Sequence, residues 1–266
     1  MVVTGASARA QRLPTGRLKQ SVCRWPYAKI PLPEFCRAVA DIGLTAVDLL
    51  TEAEWPVARE HGLTCSMGSG FGGTIADGLN VKANHAKIVE SLERGIPLAA
   101  ASKVPNLIAF FGNRRGMGDE EAAANCVDAL NRVKTIAEDH GVTICLELLN
   151  SKVDHKDYQG DRSAFGIAVM KAVASPRVKL LYDIYHMQIM EGDLIRTIRD
   201  GREHIAHFHT GGVPGRHELD HSQEIQWRSV ATAIADMGFA GYFAHEFIPT
   251  RDPITSLREA VALCAV

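Results

Sequence analysis

Eight short apolar segments alternate with amphipathic, helix-like segments along the 266 residues of the chain. The later apolar segments are apolar nearly throughout, as are strands buried on both faces of a parallel sheet. Strands that alternate with helices form either a closed barrel or an open doubly wound sheet. No G-x-G-x-x-G follows the first strand, so the dinucleotide-binding form of the open sheet loses its main support. We therefore predict a single-domain α/β protein with a (β/α)8 TIM barrel fold.

The segment boundaries follow from turn residues and from the change between strand and helix periodicity. Predicted strands cover 18–23, 45–50, 63–68, 105–111, 142–149, 177–183, 204–210 and 241–247. Predicted helices cover 33–43, 162–174, 191–200, 226–237 and 253–264, with two more that begin near Asn84 and Asp119. Asn84 and Asp119 are predicted to cap those two helices. Pro97 falls inside the first of them, where a kink or a restart is expected.

Composition and charge exclude several classes of function. The formal net charge is −2 and the basic residues are scattered, which predicts neither nucleic-acid binding nor a membrane surface. The six cysteines include no C-x-x-C pair, which favours reduced, packed thiols in a cytoplasmic protein. Residues 1–17 lack the apolar stretch of an export signal, so we expect a flexible leader before a barrel over 18–266, with a trimmed signal as the alternative. A homo-oligomer is compatible with this composition.

Each of the last four predicted strands ends in a side chain that can bind a metal ion: Glu147, Asp183, His209 and Glu246. Successive members lie 26 to 37 residues apart, about one β/α unit. The carboxyl ends of barrel strands meet at one mouth, where active sites are built. One acid at a strand end can merely cap the next helix, but four such residues in succession predict one divalent cation. Mn²⁺ or Mg²⁺ suits this oxygen-rich set best, with Co²⁺ and Zn²⁺ as alternatives.

Four longer segments resemble the hydroxypyruvate isomerase family: LELLNSKVDHKDYQGD, YDIYHMQIMEGD, GVPGRHELD and GNRRGM. That family belongs to the xylose isomerase-like TIM barrels, with the sugar 3-epimerases as neighbours. The resemblance runs from about residue 18 to the C-terminus. It implies that Glu147 and Glu246 are both metal ligands and the acid/base pair on opposite faces of the substrate. It also implies that His186 contacts a substrate oxygen and that Arg216 lies at the substrate or beside a catalytic carboxylate.

The resemblance implies isomerisation of hydroxypyruvate to 2-hydroxy-3-oxopropanoate (tartronate semialdehyde). In such chemistry a cation stabilises an enediolate while one Glu removes a proton from carbon and a second carboxyl group returns it. A hydride shift is the competing route. A substrate carboxylate also needs a cationic partner, and arginine binds carboxylates through two hydrogen bonds. Arg24, after the first strand, and Arg114 and Arg115, after the fourth, are the candidates.

His209 departs from the resemblance, because hydroxypyruvate isomerases often carry Gln at this position and sugar epimerases carry His. A ketose 3-epimerase or another sugar isomerase at the same site is therefore the alternative activity. The expected partner is accordingly a small hydroxy-oxo acid or a short sugar. Two interpretations from other classes are a metal-dependent endonuclease of abasic DNA and a non-catalytic binding module. The net charge of −2 and the single set of four ligands argue against the endonuclease.

Overall fold

The computed structural model describes residues 16–266, which form a closed barrel of eight parallel strands. The strands are β1 Lys19–Cys23, β2 Ala46–Leu50, β3 Thr64–Gly72, β4 Asn106–Phe110, β5 Thr143–Leu148, β6 Val178–Asp183, β7 Ile205–Thr210 and β8 Tyr242–His245. Consecutive strands are neighbours around the barrel, and β8 closes onto β1. The predicted TIM barrel is confirmed.

Nine α-helices surround the barrel within the described residues. They are α1 Leu32–Ile42, α2 Trp55–Glu60, α3 His85–Ala101, α4 Asp119–His140, α5 Ser163–Val173, α6 Ile184–Met190, α7 Leu194–Gly201, α8 Trp227–Asp236 and α9 Pro253–Cys264. The sequence-based assignment omits α2 and α6. Helix α6 begins directly after β6, so no loop residues separate it from the strand. None of the helices in residues 16–266 has the length and apolar character needed to span a bilayer.

Two local details of the predicted helices differ from the structure. The expected restart at Pro97 does not occur, because α3 runs through it from His85 to Ala101. Buried apolar contacts on both sides of Pro97 hold the helix together despite the hydrogen bond that proline cannot donate. Asp119 is not the N-cap of α4, since Gly118 holds that position with extended backbone and Asp119 is the first helical residue. Asn84 is the N-cap of α3, but its side chain makes no capping hydrogen bond and donates instead to Gly78 O.

The hydrophobic core lies mainly between the barrel wall and the helices. A smaller cluster of Met67, Ile108, Cys145 and Leu181 is set apart from this main core. All six cysteines are buried and free, as predicted. The predicted leader, residues 1–17, lies outside the described residues apart from Gly16 and Arg17. The Arg17 backbone N–H donates to Val266 O at 2.8 Å, which ties the start of the described chain to its end.

Candidate metal and active site

Strand register brings the four predicted ligands together at the carboxyl end of the barrel. Asp183, the last residue of β6, pairs directly with His209 on β7. Glu147 lies one residue before the end of β5. Glu246 lies one residue beyond β8, where its backbone N–H donates to Thr210 O at 3.0 Å. Parallel pairing therefore places residues that are distant in sequence at one level of the barrel.

His209 stands among the three carboxylates. Its Nδ1 lies 3.2 Å from Glu147 Oε1 and 2.9 Å from Glu246 Oε2. One ligand atom from each of His209, Glu147, Glu246 and Asp183 lies within 4.8 Å of every other. All four residues are buried, with exposure between 0% and 4%. The geometry is therefore compact enough for one ion to contact all four side chains.

The opposite nitrogen of His209 is held by an acid on β2. Nε2 lies 2.8 Å from Asp48 Oδ2, and His207 Nε2 lies 3.2 Å from Asp48 Oδ1. Burial opposes ionisation of Asp48, but His207 and His209 outweigh it and keep the pKa of Asp48 well below its usual range. An ionised carboxylate only accepts hydrogen bonds, so the proton of His209 lies on Nε2. Ser66 and Cys23 also donate to the Asp48 carboxylate.

Arg216 fills the space between two of the carboxylates. Its Nη2 lies 3.3 Å from Asp183 Oδ2 and also donates to Glu246 Oε2. The guanidinium lies between two rings, with Trp25 at 5.3 Å and Tyr185 at 5.2 Å from their centroids. Arg216 itself has a φ of 59°, a left-handed backbone conformation that is rare for a residue with a side chain. Such strain at a buried charged residue is typical of functional sites.

The crowded carboxyl groups differ in their pKa values. Burial, reinforced by the charge of Glu246, raises the pKa of Asp183 to about 8 in spite of Arg216. Burial also raises the pKa of Glu147. Burial opposes ionisation of Glu246 as well, but Arg216 and His209 outweigh it and hold the pKa of Glu246 well below its usual range. Charge in the cluster is therefore balanced by protons and by Arg216.

These side chains fit a divalent cation. His209 Nδ1 is buried and makes no hydrogen bond, although two carboxylates face it. An unpartnered buried nitrogen beside carboxylates is expected where an ion binds. Because Asp48 holds one proton on Nε2, loss of the second proton leaves a lone pair on Nδ1 that can bind the ion. Three carboxylates and one imidazole suit Mn²⁺, Mg²⁺ or Co²⁺ better than a thiolate-preferring ion.

His186 lies next to the cluster, in the first turn of α6. Asp183 caps this helix by accepting from the His186 backbone N–H at 3.0 Å through Oδ1. The second oxygen, Oδ2, faces Arg216 and lies 3.6 Å from His186 Nε2. Asp183 therefore serves both as helix cap and as a member of the cluster. Burial, with a further contribution from Arg216, holds the pKa of His186 well below its usual value.

Three of the four arginines predicted to contact the substrate are engaged elsewhere. Arg24 donates to the carbonyls of Tyr27 at 2.5 Å and Ile30 at 2.9 Å. Arg114 pairs with Asp119 and, at 2.9 Å, with Asp161. Arg115 pairs with Asp77 at 2.6 Å. The structure brings Arg216 into the cavity beside the cluster but does not bring these three there.

A cavity of about 390 Å³ opens above the cluster, with Glu147, Glu246 and Arg216 in its wall. The rest of the wall is largely apolar, and its members include Trp25, Leu49, Ile75, Ile108, Phe110 and Leu149. Trp25 has a second contact with the site, because its indole N–H donates to Glu246 Oε1 at 2.6 Å. Phe71 packs against Trp55 and does not line this cavity, and Trp227 is buried in the core.

Sequence reasoning missed two polar residues of the site, Asp48 and Asn150. Asp48 is a carboxylate in the middle of the apolar strand AVDLL, and that contrast was the available signal. Asn150 follows Glu147 by three residues and is completely buried. His207, two residues before His209 on β7, faces the same side of the strand and lies beside the Asp48 carboxylate.

The fold and the cluster together define the class: a TIM-barrel protein with a buried cluster of metal-binding type at the carboxyl end of its barrel. More particularly, the chain belongs to the family of xylose isomerase-like TIM barrels, whose sequence model matches residues 36–265.

Individual relatives come from a sugar isomerase and epimerase family. The chain is 25% identical to a human protein provisionally named hydroxypyruvate isomerase, over 96% of this chain and 88% of the relative. It is also 25% identical to the 2-oxo-tetronate isomerase of Pectobacterium atrosepticum, over 84% of this chain and 88% of that enzyme. A crystal structure of D-psicose 3-epimerase in the presence of D-fructose matches with a TM-score of 0.74 at 18% identity, over 93% and 96% of the two chains. This last likeness establishes the fold alone.

Proposed function

We propose that this protein is a metal-dependent isomerase of α-hydroxy carbonyl compounds that works by proton transfer between carbon atoms. One observation carries the proposal. Glu147 and Glu246 are buried in the wall of the cavity, and both flank the same nitrogen of His209, at 3.2 and 2.9 Å. This places two carboxyl groups next to the position where a metal-bound substrate would lie.

The residues that would hold the ion are Glu147, Asp183, His209 and Glu246. When bound, a divalent cation supplies Lewis-acid stabilisation of the negative charge that develops on the substrate oxygens. One of the two glutamates accepts the proton from the hydroxyl-bearing carbon, and the released electron pair moves into the carbonyl group to give an enediolate. The other carboxyl group returns a proton to the neighbouring carbon while the hydroxyl proton passes to the former carbonyl oxygen, which completes the exchange of carbonyl and hydroxyl groups.

The surrounding residues orient this pair. The Trp25 indole N–H and the Arg216 guanidinium both donate to Glu246, one to each carboxylate oxygen. These contacts fix the Glu246 side chain against rotation, which is required for transfer of a proton over a short distance. His186 lies beside Asp183, and we expect its Nε2 to contact a substrate oxygen.

The first candidate substrate is hydroxypyruvate, with 2-hydroxy-3-oxopropanoate as the product. The names of the relatives in people and in Pectobacterium atrosepticum support a short hydroxy-oxo acid. Arg216 is the arginine in the cavity wall that can meet the carboxylate of such a substrate.

A ketose 3-epimerase is the second candidate, and the cavity favours it. Arg24, Arg114 and Arg115 are bonded to other groups, so a substrate carboxylate would find little positive charge beyond Arg216. The largely apolar wall and the volume of about 390 Å³ suit a longer, uncharged chain. In this reaction the proton returns to the same carbon from the opposite face.

Both candidates are tested by NMR of Mg²⁺-loaded protein in D₂O, with hydroxypyruvate and with D-fructose as separate substrates. Formation of 2-hydroxy-3-oxopropanoate supports the first candidate, and formation of the C3 epimer of fructose supports the second. Deuterium on the product carbon indicates proton transfer, whereas product without deuterium from a single turnover indicates a hydride shift. No turnover of any ketose or hydroxy-oxo acid by metal-loaded protein would overturn the proposal.

A further inference from the structure

The side-chain amide of Asn150, which the mechanism above does not use, has all its hydrogen-bonding capacity engaged. Its Oδ1 accepts from the backbone N–H groups of Val153 at 2.9 Å and Asp154 at 3.0 Å. Its Nδ2 donates to Asp154 Oδ2 at 2.5 Å and to His186 Nδ1 at 2.7 Å. A primary amide offers two N–H donors and two acceptor positions, and here all four have partners.

This arrangement fixes which end of the amide faces His186. Only an oxygen can accept from the two backbone N–H groups, so the nitrogen must be the atom beside the imidazole. That nitrogen has only donors, and His186 Nδ1 must therefore accept. A neutral imidazole carries one proton, so the proton of His186 lies on Nε2.

His186 Nε2 is the end of the ring that faces the cluster. It lies 3.6 Å from Asp183 Oδ2, is completely buried, and has no hydrogen-bond partner among residues 16–266. A buried N–H without a partner is costly unless a ligand accepts from it. The free N–H is thus placed beside the residue that would hold both the ion and, through it, the substrate oxygens.

Asp154 shows why an amide is needed at position 150. The Asp154 carboxylate lies 3.9 Å from His186 Nδ1, and Asn150 Nδ2 bonds to both groups. Without the amide between them, the Asp154 carboxylate could accept a hydrogen bond from a protonated Nδ1. Nε2 would then carry the lone pair. The ring would then be a base at the cluster instead of a hydrogen-bond donor.

We propose that Asn150 is a positioning residue that fixes the Nε2–H tautomer of His186, so that His186 donates a hydrogen bond to a substrate oxygen and does not act as a base. The role of His186 as hydrogen-bond donor to substrate rests on the proposed function, whereas the assignment of its tautomer does not.

The test begins with the tautomer, which long-range ¹H–¹⁵N NMR reads in full-length protein labelled with [¹⁵N]histidine. The His186 signals are assigned by their loss in His186→Gln. Wild-type protein is expected to show the Nε2–H form, and so is the control Asp154→Asn, which leaves the amide next to the ring. The double variant Asn150→Asp/Asp154→Asn exchanges amide and carboxylate and is expected to move the proton to Nδ1.

Turnover and metal binding are then measured on the same proteins. The double variant should retain Mn²⁺ binding by EPR, because the four ligands are intact, while kcat for hydroxypyruvate or D-fructose falls about 100-fold, the effect of losing one well-placed donor. If the double variant does not fold, Asn150→Ser replaces it. Serine keeps a small polar group but is too short to bond to both Asp154 and His186, so the Nε2–H form should no longer be fixed.

A wild-type Nδ1–H form would overturn the positioning role of Asn150. An inverted tautomer with undiminished kcat would overturn the donor role of His186. If wild-type protein turns over neither substrate, the proposed function fails, and the NMR result still decides whether Asn150 sets the tautomer.

Discussion

The inner cluster of ligands and the outer ring of arginines lie at the same end of the barrel but are built in opposite ways. In the inner cluster, Arg216 is the one arginine beside three carboxyl groups, Asp183, Glu147 and Glu246, so it cannot balance three negative charges. His209 Nδ1 has no hydrogen-bond partner among the described residues. In the outer ring, Arg24, Arg114 and Arg115 bond to nearby carbonyl or carboxylate groups. Each outer arginine therefore has its own partner within the protein, whereas the three inner carboxyl groups share the single guanidinium of Arg216 and leave His209 Nδ1 without a hydrogen bond.

This difference separates groups that are held ready for a ligand from groups that stabilise loops. A buried carboxyl group that lacks a partner costs stability, and evolution retains such groups where a ligand compensates for them. An exposed ion pair contributes about 0 to 1 kcal/mol and keeps a loop in place. Substitutions in the inner cluster should therefore impair function, whereas substitutions in the outer ring should affect stability alone.

The largest effect is expected at Glu246. Replacement by Gln removes a proton-transfer group and one charged ligand, so kcat should fall by about 10³-fold or more. The measurement is the rate of deuterium incorporation into product by NMR. Glu120→Gln, in the exposed first turn of α4, is the matched control and should keep the wild-type rate. Loss of less than tenfold in Glu246→Gln would remove this residue from the acid/base pair.

Asp183→Asn should separate metal binding from folding. The raised pKa of Asp183, about 8, means that this carboxyl is largely protonated in the metal-free protein at pH 7. An amide of the same shape should therefore change metal-free stability by only about 1 kcal/mol or less, while Mn²⁺ affinity falls by about 100-fold. Thermal melts with and without Mn²⁺ check both parts, since the wild type should gain more Tm than the variant from the same ion concentration. A large loss of Tm without metal would show that the charged form stabilises the fold.

Metal binding should also release protons. Asp183, with a pKa of about 8, is largely protonated at pH 7 and must lose its proton to bind an ion, and the raised pKa values of Glu147 and His209 favour further proton release. For His209 burial favours the neutral form, but the acidic groups around it outweigh that effect. Affinity should therefore fall as pH drops below about 8, by about tenfold per pH unit for each proton displaced.

Calorimetric titration with Mn²⁺ in two buffers of different ionisation enthalpy measures the number of protons released. Asp183→Asn is the matched variant, because it lacks one of these protons and should release fewer. An affinity that does not change between pH 6 and 8 would show that the inner cluster does not hold protons in the metal-free state.

The difference between inner cluster and outer ring also explains which site residues could be predicted from the sequence. The positions of Glu147, Asp183, His209 and Glu246 depend on strand ends, and barrel closure brings strand ends together whatever the loops do. The fold and the convergence of these four side chains therefore followed from periodicity and spacing.

The outer arginines depend on loop conformation, which periodicity does not encode. Arg115 adopts a left-handed backbone conformation, with φ of 51°, and its backbone N–H donates to Asp157 in the loop after the neighbouring strand β5. No spacing rule gives the direction of such a side chain. Asn150 was missed for a related reason, because its role depends on which atom of one amide faces which atom of one ring.

The smallest effect is expected at Arg115. The Arg115 and Asp77 side chains are 51% and 58% exposed, so loss of this ion pair in Arg115→Ala should cost less than about 1 kcal/mol of stability. Because Arg115 does not line the cavity, KM for the substrate that is turned over should stay within about twofold of the wild type, well short of the loss expected when a charged hydrogen bond to substrate is removed. Arg114→Ala, which breaks a pair with the largely buried Asp161, should lower Tm more than Arg115→Ala and leave KM equally unchanged. Denaturant melts and initial-rate kinetics measure the two effects. A tenfold rise of KM for hydroxypyruvate in either variant, without a rise for D-fructose, would place a substrate carboxylate at the outer ring. The outer ring would then bind substrate, and the distinction between the two regions would be lost.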